Sequence, residues 1–463
     1  MQAAVAAGHP ATVAAGIEIL DEGGSAADAA VAAVLASCVA ETVMTGLLGG
    51  GHAIHYESAT GRVRNLDCFV AVPGLGAEPR EAELIHLDVR FGEELVHYAI
   101  GPASCAVPGL PAGLEALWRE HGTLPWPRLV EPSIALARDG VAFPSAHAAC
   151  LAMLAPVMTM NEGARIYAPG GELLQAGDTL EQPGLVAALA ELSADSATVY
   201  RGSIGESLLG LSDGRGGSIT RADLAAYEAH WREPVALGYL ETRLLTRGGL
   251  SGLPDTVPRL PHVRGLGETE RVLALVDVLA TDREANGDTT NVAVVDSDGN
   301  ACVVTSSLGL GSGDFLPGLD LHLNSMLGEA DLLRDELDPG RRMLSMMAPT
   351  LGLDGEGLSL AAGAAGGTRL RTALLGVIVG ILDEGLPADQ AVGRPRFHPA
   401  PNVINAEPGV DEGALAHLEA RGRVVRRWPA PHHYFGGVSV VSRSGAAGDP
   451  RRNGAASTSR RTP

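Results

Sequence analysis

The run Gly287-Asp288-Thr289-Thr290 stands at the head of two apolar, β-rich segments, TTNVAVV and ACVVTSS. A threonine hydroxyl is a poor nucleophile unless a base sits beside it. A threonine at a chain terminus carries its own, because an α-amino group titrates at about 7.7–8.0 and is available in neutral form. Cleavage before Thr289 would uncover that amine. In such a cleavage the Thr289 hydroxyl attacks the Asp288 carbonyl, and water opens the resulting ester. On spacing alone there is a simpler explanation, since Thr-Thr at the start of a strand satisfies β propensity.

One absence narrows the chemistry. All 34 basic residues of the 463 are arginine, and no lysine occurs. Schiff-base formation, pyridoxal-phosphate attachment, Ser-Lys dyads and the Walker lysine are excluded together, because each needs a side-chain amine. A neutral amine base has to come from a chain terminus. The five cysteines, Cys38, Cys68, Cys105, Cys150 and Cys302, are scattered and lack CxxC spacing, so buried thiols are expected rather than disulfides or zinc. A formal charge of −21 disfavours nucleic acid and reads as a solvated acidic surface.

The elements that must position Thr289 follow from pattern. Pro10 suits the first turn of a helix that runs to Leu20 and stops at Gly23-Gly24. Ser25, with Asp28 three residues on, suits the cap of a second helix reaching Ala40, apolar nearly all round and so buried. The cluster Gly49-Gly50-Gly51 leads into a hairpin at 52–57 and 62–67. Residues 110–240 alternate helical runs with Gly/Pro breaks, 246–270 reads as a loop, and 269–281 as a helix before the polar connector DREANGD. The pair TTNVAVV and ACVVTSS, joined by DSDGN, is apolar on both faces and should be covered on both sides. LSLAAG reads as a strand, AAGGT as a loop, and Thr368 to about Glu384 as a helix. The tail beyond Ala455 is expected to be disordered. Covered strands flanked by apolar helices imply a layered α/β architecture.

Six blocks, in order, resemble the gamma-glutamyltransferase family. They are GHPATVAAGIEILDEGGSAADAAVAAVLA with the glycines after it, TTNVAVVDSDGNACVVTSS, MLSMMAPT (343–350), GAAGGTRLRT (363–372), GRPRFHP (393–399) and DPRRNGAA (449–456). The likeness spans nearly the whole chain and is loose over 150–280. It implies the four-layer αββα sandwich of the N-terminal nucleophile hydrolases. It implies cleavage between Asp288 and Thr289, giving a large fragment (residues 1–288) and a small fragment (residues 289–463) folded as one intertwined unit. Thr289 would be nucleophile and, through its α-amine, base. Ser307 stands where the family has a threonine that hydrogen-bonds the nucleophile, and Gly366 and Gly367 would turn N–H groups toward the tetrahedral intermediate. A plain strand-to-helix turn explains the same glycines. Glu329 and Ser345 stand at donor-binding positions, and Arg90 at a loosely aligned place for a carboxylate-binding arginine. An exposed strand arginine explains Arg90 as well.

Three departures fall in the donor pocket. Gly309 stands where Asn is usual, Met326 where Gln or Glu is, and Met346 where a second Ser is, while the loop after Ser307 is two residues shorter. The expected reaction is acyl transfer from a γ-glutamyl amide such as glutathione to water or an amine. Two alternatives stay open: an amidase or acylase with a different donor, and an unprocessed, non-catalytic binding protein. The expected partner is a small molecule, with neither nucleic acid nor membrane, inside a self-derived large/small heterodimer that could oligomerise further. No metal or organic cofactor is implied. His432-His433 reads as a loop pair, Asp331–Glu336 as a solvated helix face, Asp296–Asn300 as a β-turn, and Gly309-x-Gly311-x-Gly313 as unrelated to dinucleotide spacing. No basic n-region with an apolar core opens the chain, and ALLGVIVGIL (373–382) is too short to span a bilayer, so a cytoplasmic location is expected unless the true start lies upstream.

Overall fold

The computed structural model describes residues 1–78, 84–91, 94–280, 289–334 and 336–461. Two antiparallel sheets dominate it. The first contains β1 (Ala4–Ala7), β2 (Gly50–Glu57), β3 (Arg62–Cys68), β4 (His230–Arg232), β7 (Thr290–Val295), β8 (Ala301–Ser307) and β13 (Ala455–Thr458), in the spatial order β13-β1-β7-β8-β2-β3-β4. The second contains β5 (Val235–Tyr239), β6 (Thr242–Thr246), β9 (Thr350–Asp354), β10 (Gly357–Ala365), β11 (Gly437–Ser442) and β12 (Gly445–Gly448), in the order β12-β11-β10-β9-β6-β5.

Side-chain alternation along the strands divides the core into layers. Ala293 and Val295 of β7, with Ala301 and Val303 of β8, meet Leu351 and Leu353 of β9 and Ala361 of β10 between the sheets. Their neighbours Val292, Val294, Cys302 and Val304 face outward onto helices α1 (Pro10–Asp21), α2 (Ala26–Ala40), α3 (Leu110–His121) and α4 (Trp126–Asp139). Leu360, Ala362 and Ala364 of β10 face outward on the other side, onto α6 (Glu268–Val276), α7 (Arg369–Leu382) and α8 (Glu412–Ala420). The result is the four-layer αββα sandwich. Each of the β7 valines, fully enclosed, contributes roughly 1.5–3 kcal/mol of burial.

Local details explain why the layers register. The Ser25 hydroxyl accepts from the Asp28 N–H at 3.1 Å and the Asp28 carboxylate accepts from the Ser25 N–H at 3.0 Å, closing a capping box on α2, all of whose residues are buried. The β7–β8 turn is anchored to the same helix: Asp296 accepts from the N–H groups of Asp298 and Asn300 at its own turn, and from the Ala26 N–H at 2.8 Å.

Four expectations need correction. The tail is ordered through Ser459, because Ala455–Thr458 pairs with β1 from Ala7 to Ala4 and the Ser459 N–H donates to the Ala3 carbonyl; its small side chains fill an edge that composition alone suggested was solvent. The helix expected over 269–281 ends at Val276. The 246–270 loop contains a helical turn, Leu253–Thr256, and a 3-10 turn, Val257–Arg259. The helix face expected at Asp331–Glu336 is absent among its described residues, where a turn from Glu329 buries Leu332 and the backbone then leaves regular structure.

Candidate active site

The site is built outward from the β7–β8 ladder. Thr290 pairs with Ser306, and Ser307 pairs with Gly50 on the far side. Continuing the first register by one residue sets Thr289 opposite Ser307, about 4.5–5.5 Å away between Cα atoms. Alternation also assigns the faces. Thr290 points toward the helix layer, as do Val292 and Val294, while Asn291 points between the sheets. There the Asn291 carboxamide occupies space that a side chain at Gly363 would take, a Cβ falling 1.9 Å from its oxygen. Thr289 therefore shares the inter-sheet side with Asn291. It is buried, as is Ser307, whose hydroxyl accepts from the Gly309 N–H at 3.0 Å. Asp288 lies outside the described residues.

Gly366 and Gly367 connect β10 to α7, and both adopt positive φ, 120° and 58°. A Cβ on Gly366 would lie 2.9 Å from the Cα of Gly436, so the turn also needs the glycine for space. The glycine amides stand at the helix N-terminus, where N–H groups have no intrahelical acceptor and the dipole favours an anion. Arg452 links this turn to Thr289. One guanidinium nitrogen donates to the Thr289 carbonyl at 3.1 Å, and another lies 3.5 Å from where a Gly366 Cβ would stand.

Behind Thr290 lies Glu41, the C-cap of α2. Its carboxylate accepts from the Thr12 hydroxyl at 2.6 Å and from the Thr290 hydroxyl at 2.5 Å. Burial is the main reason its pKa rises to about 6, opposed by those two hydroxyls and by Arg452. Gly8 leaves the room, since a Cβ there would stand 2.3 Å from the carboxylate. Thr289, Glu41, His147, Asn291, Asp449 and Arg452 line a narrow void of about 10 Å³. Among the described residues, neither the Asn291 amide nitrogen nor His147 Nδ1 has a hydrogen-bond partner, and burial pulls the His147 pKa down to about 3.

On the other side of the glycine turn is a cleft of about 470 Å³, lined by Gly249–Gly252, Asp255, Arg259, Ala280, Met346, Gly367, Thr368, Leu370 and Arg371. Ser345, fully buried, abuts it. Its carbonyl accepts from Arg247 and from the Leu250 N–H, and its hydroxyl from the Met347 N–H at 3.2 Å. Glu329 follows the turn Met326–Gly328, and its carboxylate oxygen lies 2.7 Å from where a Cβ on Gly309 would be. Arg90 is not brought to this group. It is exposed on the hairpin Ile85–Phe91/Glu94–Ile100, level with Leu95, whereas the hairpin touches the Glu329 turn at Ala99. Four residues of strand separate those points by roughly 14 Å.

Residues 12–254 and 268–459 match the family described as Gamma-glutamyltranspeptidase. The chain belongs to that family. Among its relatives is the Acylase ACY 1 proenzyme of Pseudomonas sp. (strain SE83), 29% identical over 95% of this chain and 89% of that one. Another is the Glutathione hydrolase proenzyme of Escherichia coli (strain K12), 27% identical over 89% and 83%. The cephalosporin acylase of Bacillus halodurans superposes with a TM-score of 0.82 over 98% of this chain and 95% of that one, at 21% identity, a likeness of fold. The chain is accordingly an enzyme of the gamma-glutamyltransferase/hydrolase type.

Against the gamma-glutamyltranspeptidase pattern, the three pocket departures prove to be connected. Gly309 has a φ of 70°, and the space its missing side chain leaves is taken by Glu329 and Ser325. Met326 and Met346 join Phe69, Val70, Met343 and Met347 in one apolar cluster. Sequence reasoning did not single out Glu41, Thr290, Asn291 or Arg452. Arg452 lay inside the DPRRNGAA block, and an acidic residue closing an all-apolar helix was the available signal for Glu41.

Proposed function

We propose that this enzyme cleaves itself before Thr289 and then uses Thr289 for acyl transfer from amides. Residues 1–288 and 289–463 would stay together as a heterodimer. What carries the reading is the convergence of three elements: Thr289 opposite Ser307 at the mouth of β7–β8, the Gly366–Gly367 amides at the head of α7, and Arg452, which donates to the Thr289 carbonyl and lies beside the glycine turn. In self-cleavage the Thr289 hydroxyl adds to the Asp288 carbonyl, the Asp288–Thr289 C–N bond breaks to leave an ester and a free α-amine, and water hydrolyses the ester to the Asp288 carboxylic acid and the Thr289 hydroxyl. In turnover that amine takes the proton from the hydroxyl as it attacks a donor amide, and gives it to the departing amine. The glycine N–H groups hold the oxyanion, a contribution on the order of 10²–10³ in kcat for one donor in comparable sites. Water or an amine then removes the acyl group. The names of the two proenzyme relatives support both the processing and the reaction class.

The donor is read as an acyl group without a full amino-acid head. Met326 and Met346 offer no hydrogen bonds, and Glu329 fills the place of the missing residue-309 side chain. A γ-glutamyl donor is the second reading, favoured by the retained polar side chains of Ser345, next to the cleft-lining Gly249, and of Glu329, beside Gly309. Hydrolysis of glutaryl p-nitroanilide and γ-glutamyl p-nitroanilide separates them, since the two differ only in the α-amino group. The first reading predicts at least a tenfold larger kcat/KM for the glutaryl compound. A preference for the γ-glutamyl compound assigns the enzyme to the second.

A further inference from the structure

The residue after the nucleophile is held from the helix layer, and the nucleophile's own carbonyl by Arg452. Thr290 is the first residue of β7, and its hydroxyl donates to Glu41 on the helix side while Thr289 faces the gap between the sheets. Glu41 is fixed in turn by the Thr12 hydroxyl and by the hydrogen bond from its own N–H to Ser37 at the end of α2. Arg452, which also lines the void, donates to the Thr289 carbonyl. Glu41 and Thr289 are both buried and share a pocket with room for about one water, so a charge on Glu41 is weakly screened there.

Resting on the reading of Thr289 above, we propose that Glu41 is a positioning residue for the nucleophile. It acts through the Thr290 hydroxyl, and its charge sets the protonation of the α-amine that cleavage uncovers.

The sign follows from the groups that face the carboxylate. His9 and His147 are both pulled down by burial and are neutral near pH 7, and the Cys38 thiol is pushed up to about 12. Asp449 shares the void but is committed to Arg396 at 2.6 Å and Arg451 at 3.2 Å. Arg452 remains as the cation facing Glu41. Glu41 itself titrates near 6, below the usual α-amine range of about 7.7–8.0, so it is anionic where the amine titrates. An anion there stabilises the ammonium form and raises the pH at which the amine becomes a base. Arg452, whose charge acts on the same pocket, opposes it.

The test compares wild type with Glu41→Gln, Thr290→Val and Thr290→Ser as full-length proteins, by intact mass and then by kcat/KM against pH on glutaryl p-nitroanilide. Glu41→Gln keeps the shape and removes the charge, and its acid limb is expected about one pH unit lower. Thr290→Val is expected to lose at least tenfold in kcat with KM unchanged, and Thr290→Ser to recover it. Failure of Glu41→Gln to mature would leave the threonine pair as the deciding variants. A processed, active wild type whose acid limb coincides with that of Glu41→Gln overturns the inference alone, as does full kcat in Thr290→Val. A wild-type chain that stays whole overturns the parent reading with it.

Discussion

At residue 309, where the family resemblance implies asparagine, the chain has glycine, and its neighbours fill the space a side chain would take. A Cβ there would stand 2.7 Å from both the Glu329 carboxylate and the Ser325 hydroxyl, on a backbone at φ 70°. Restoring the family residue should therefore fail to restore the family pocket. Gly309→Asn is expected to destabilise the fold by about 1–3 kcal/mol through strain and crowding. It should also leave γ-glutamyl p-nitroanilide no better a substrate; urea unfolding and kcat/KM measure the two. A gain in γ-glutamyl turnover at unchanged stability would contradict this account of the wall. The loss of a polar residue was legible in the sequence, but the compensation was not, because Glu329 lies twenty positions away and reaches Gly309 only through the turn Met326–Gly328.

The strand-turn-helix unit from β10 through Gly366–Gly367 to α7 belongs to the scale of elements. Its glycines, its strand and its helix were readable from residue types to within a few positions, because local conformation and apolar period decide them. What the sequence could not supply was the partner surface: Gly436 against Gly366, and Arg452 spanning from that turn to Thr289, contacts set by folding far-separated segments together. Gly366→Ala tests the unit. It places a Cβ 2.9 Å from Gly436 at φ 120°, so the turn must move and carry its N–H groups with it. The expected result is a loss in kcat on the order of 10²–10³ with KM little changed, measured on processed enzyme. A fall confined to KM would mean that the turn binds ground-state substrate instead of the oxyanion. Arg90 shows the limit of alignment at this scale: a short LDVRFGEE match put a cation near the donor, whereas the hairpin carries it to an exposed position roughly 14 Å along the strand.

On the scale of the whole molecule, the two sheets interleave strands from either side of residue 289. β7 and β8 lie between β1 and β2, while β9 to β12 continue the sheet begun by β5 and β6. A cut at Thr289 would therefore leave two chains that share both sheets, and the fragments are expected to co-elute in native chromatography and to separate only in denaturant. A layered α/β architecture was implied by doubly apolar strands and the four-layer order by the family resemblance, but the role of the C-terminal segment was hidden because Ala- and Ser-rich edge strands resemble a disordered tail. Truncation after Gly454 removes β13 and the Ser459 contacts to Ala3 and Asp21. With a handful of backbone hydrogen bonds at about 1 kcal/mol each, stability is expected to fall by about 3–5 kcal/mol in urea unfolding. An unchanged midpoint would show that the edge of β1 needs no cover.

The central claim is that Thr289 becomes a chain terminus. The direct test is the intact mass of the purified protein under denaturing conditions, beside Thr289→Ala. Self-cleavage at this bond gives two fragments in the wild type, one ending at Asp288 and one beginning at Thr289, and a single uncut chain in the variant. A wild-type chain that remains whole after long incubation, or a variant that is cut at the same bond, would contradict it.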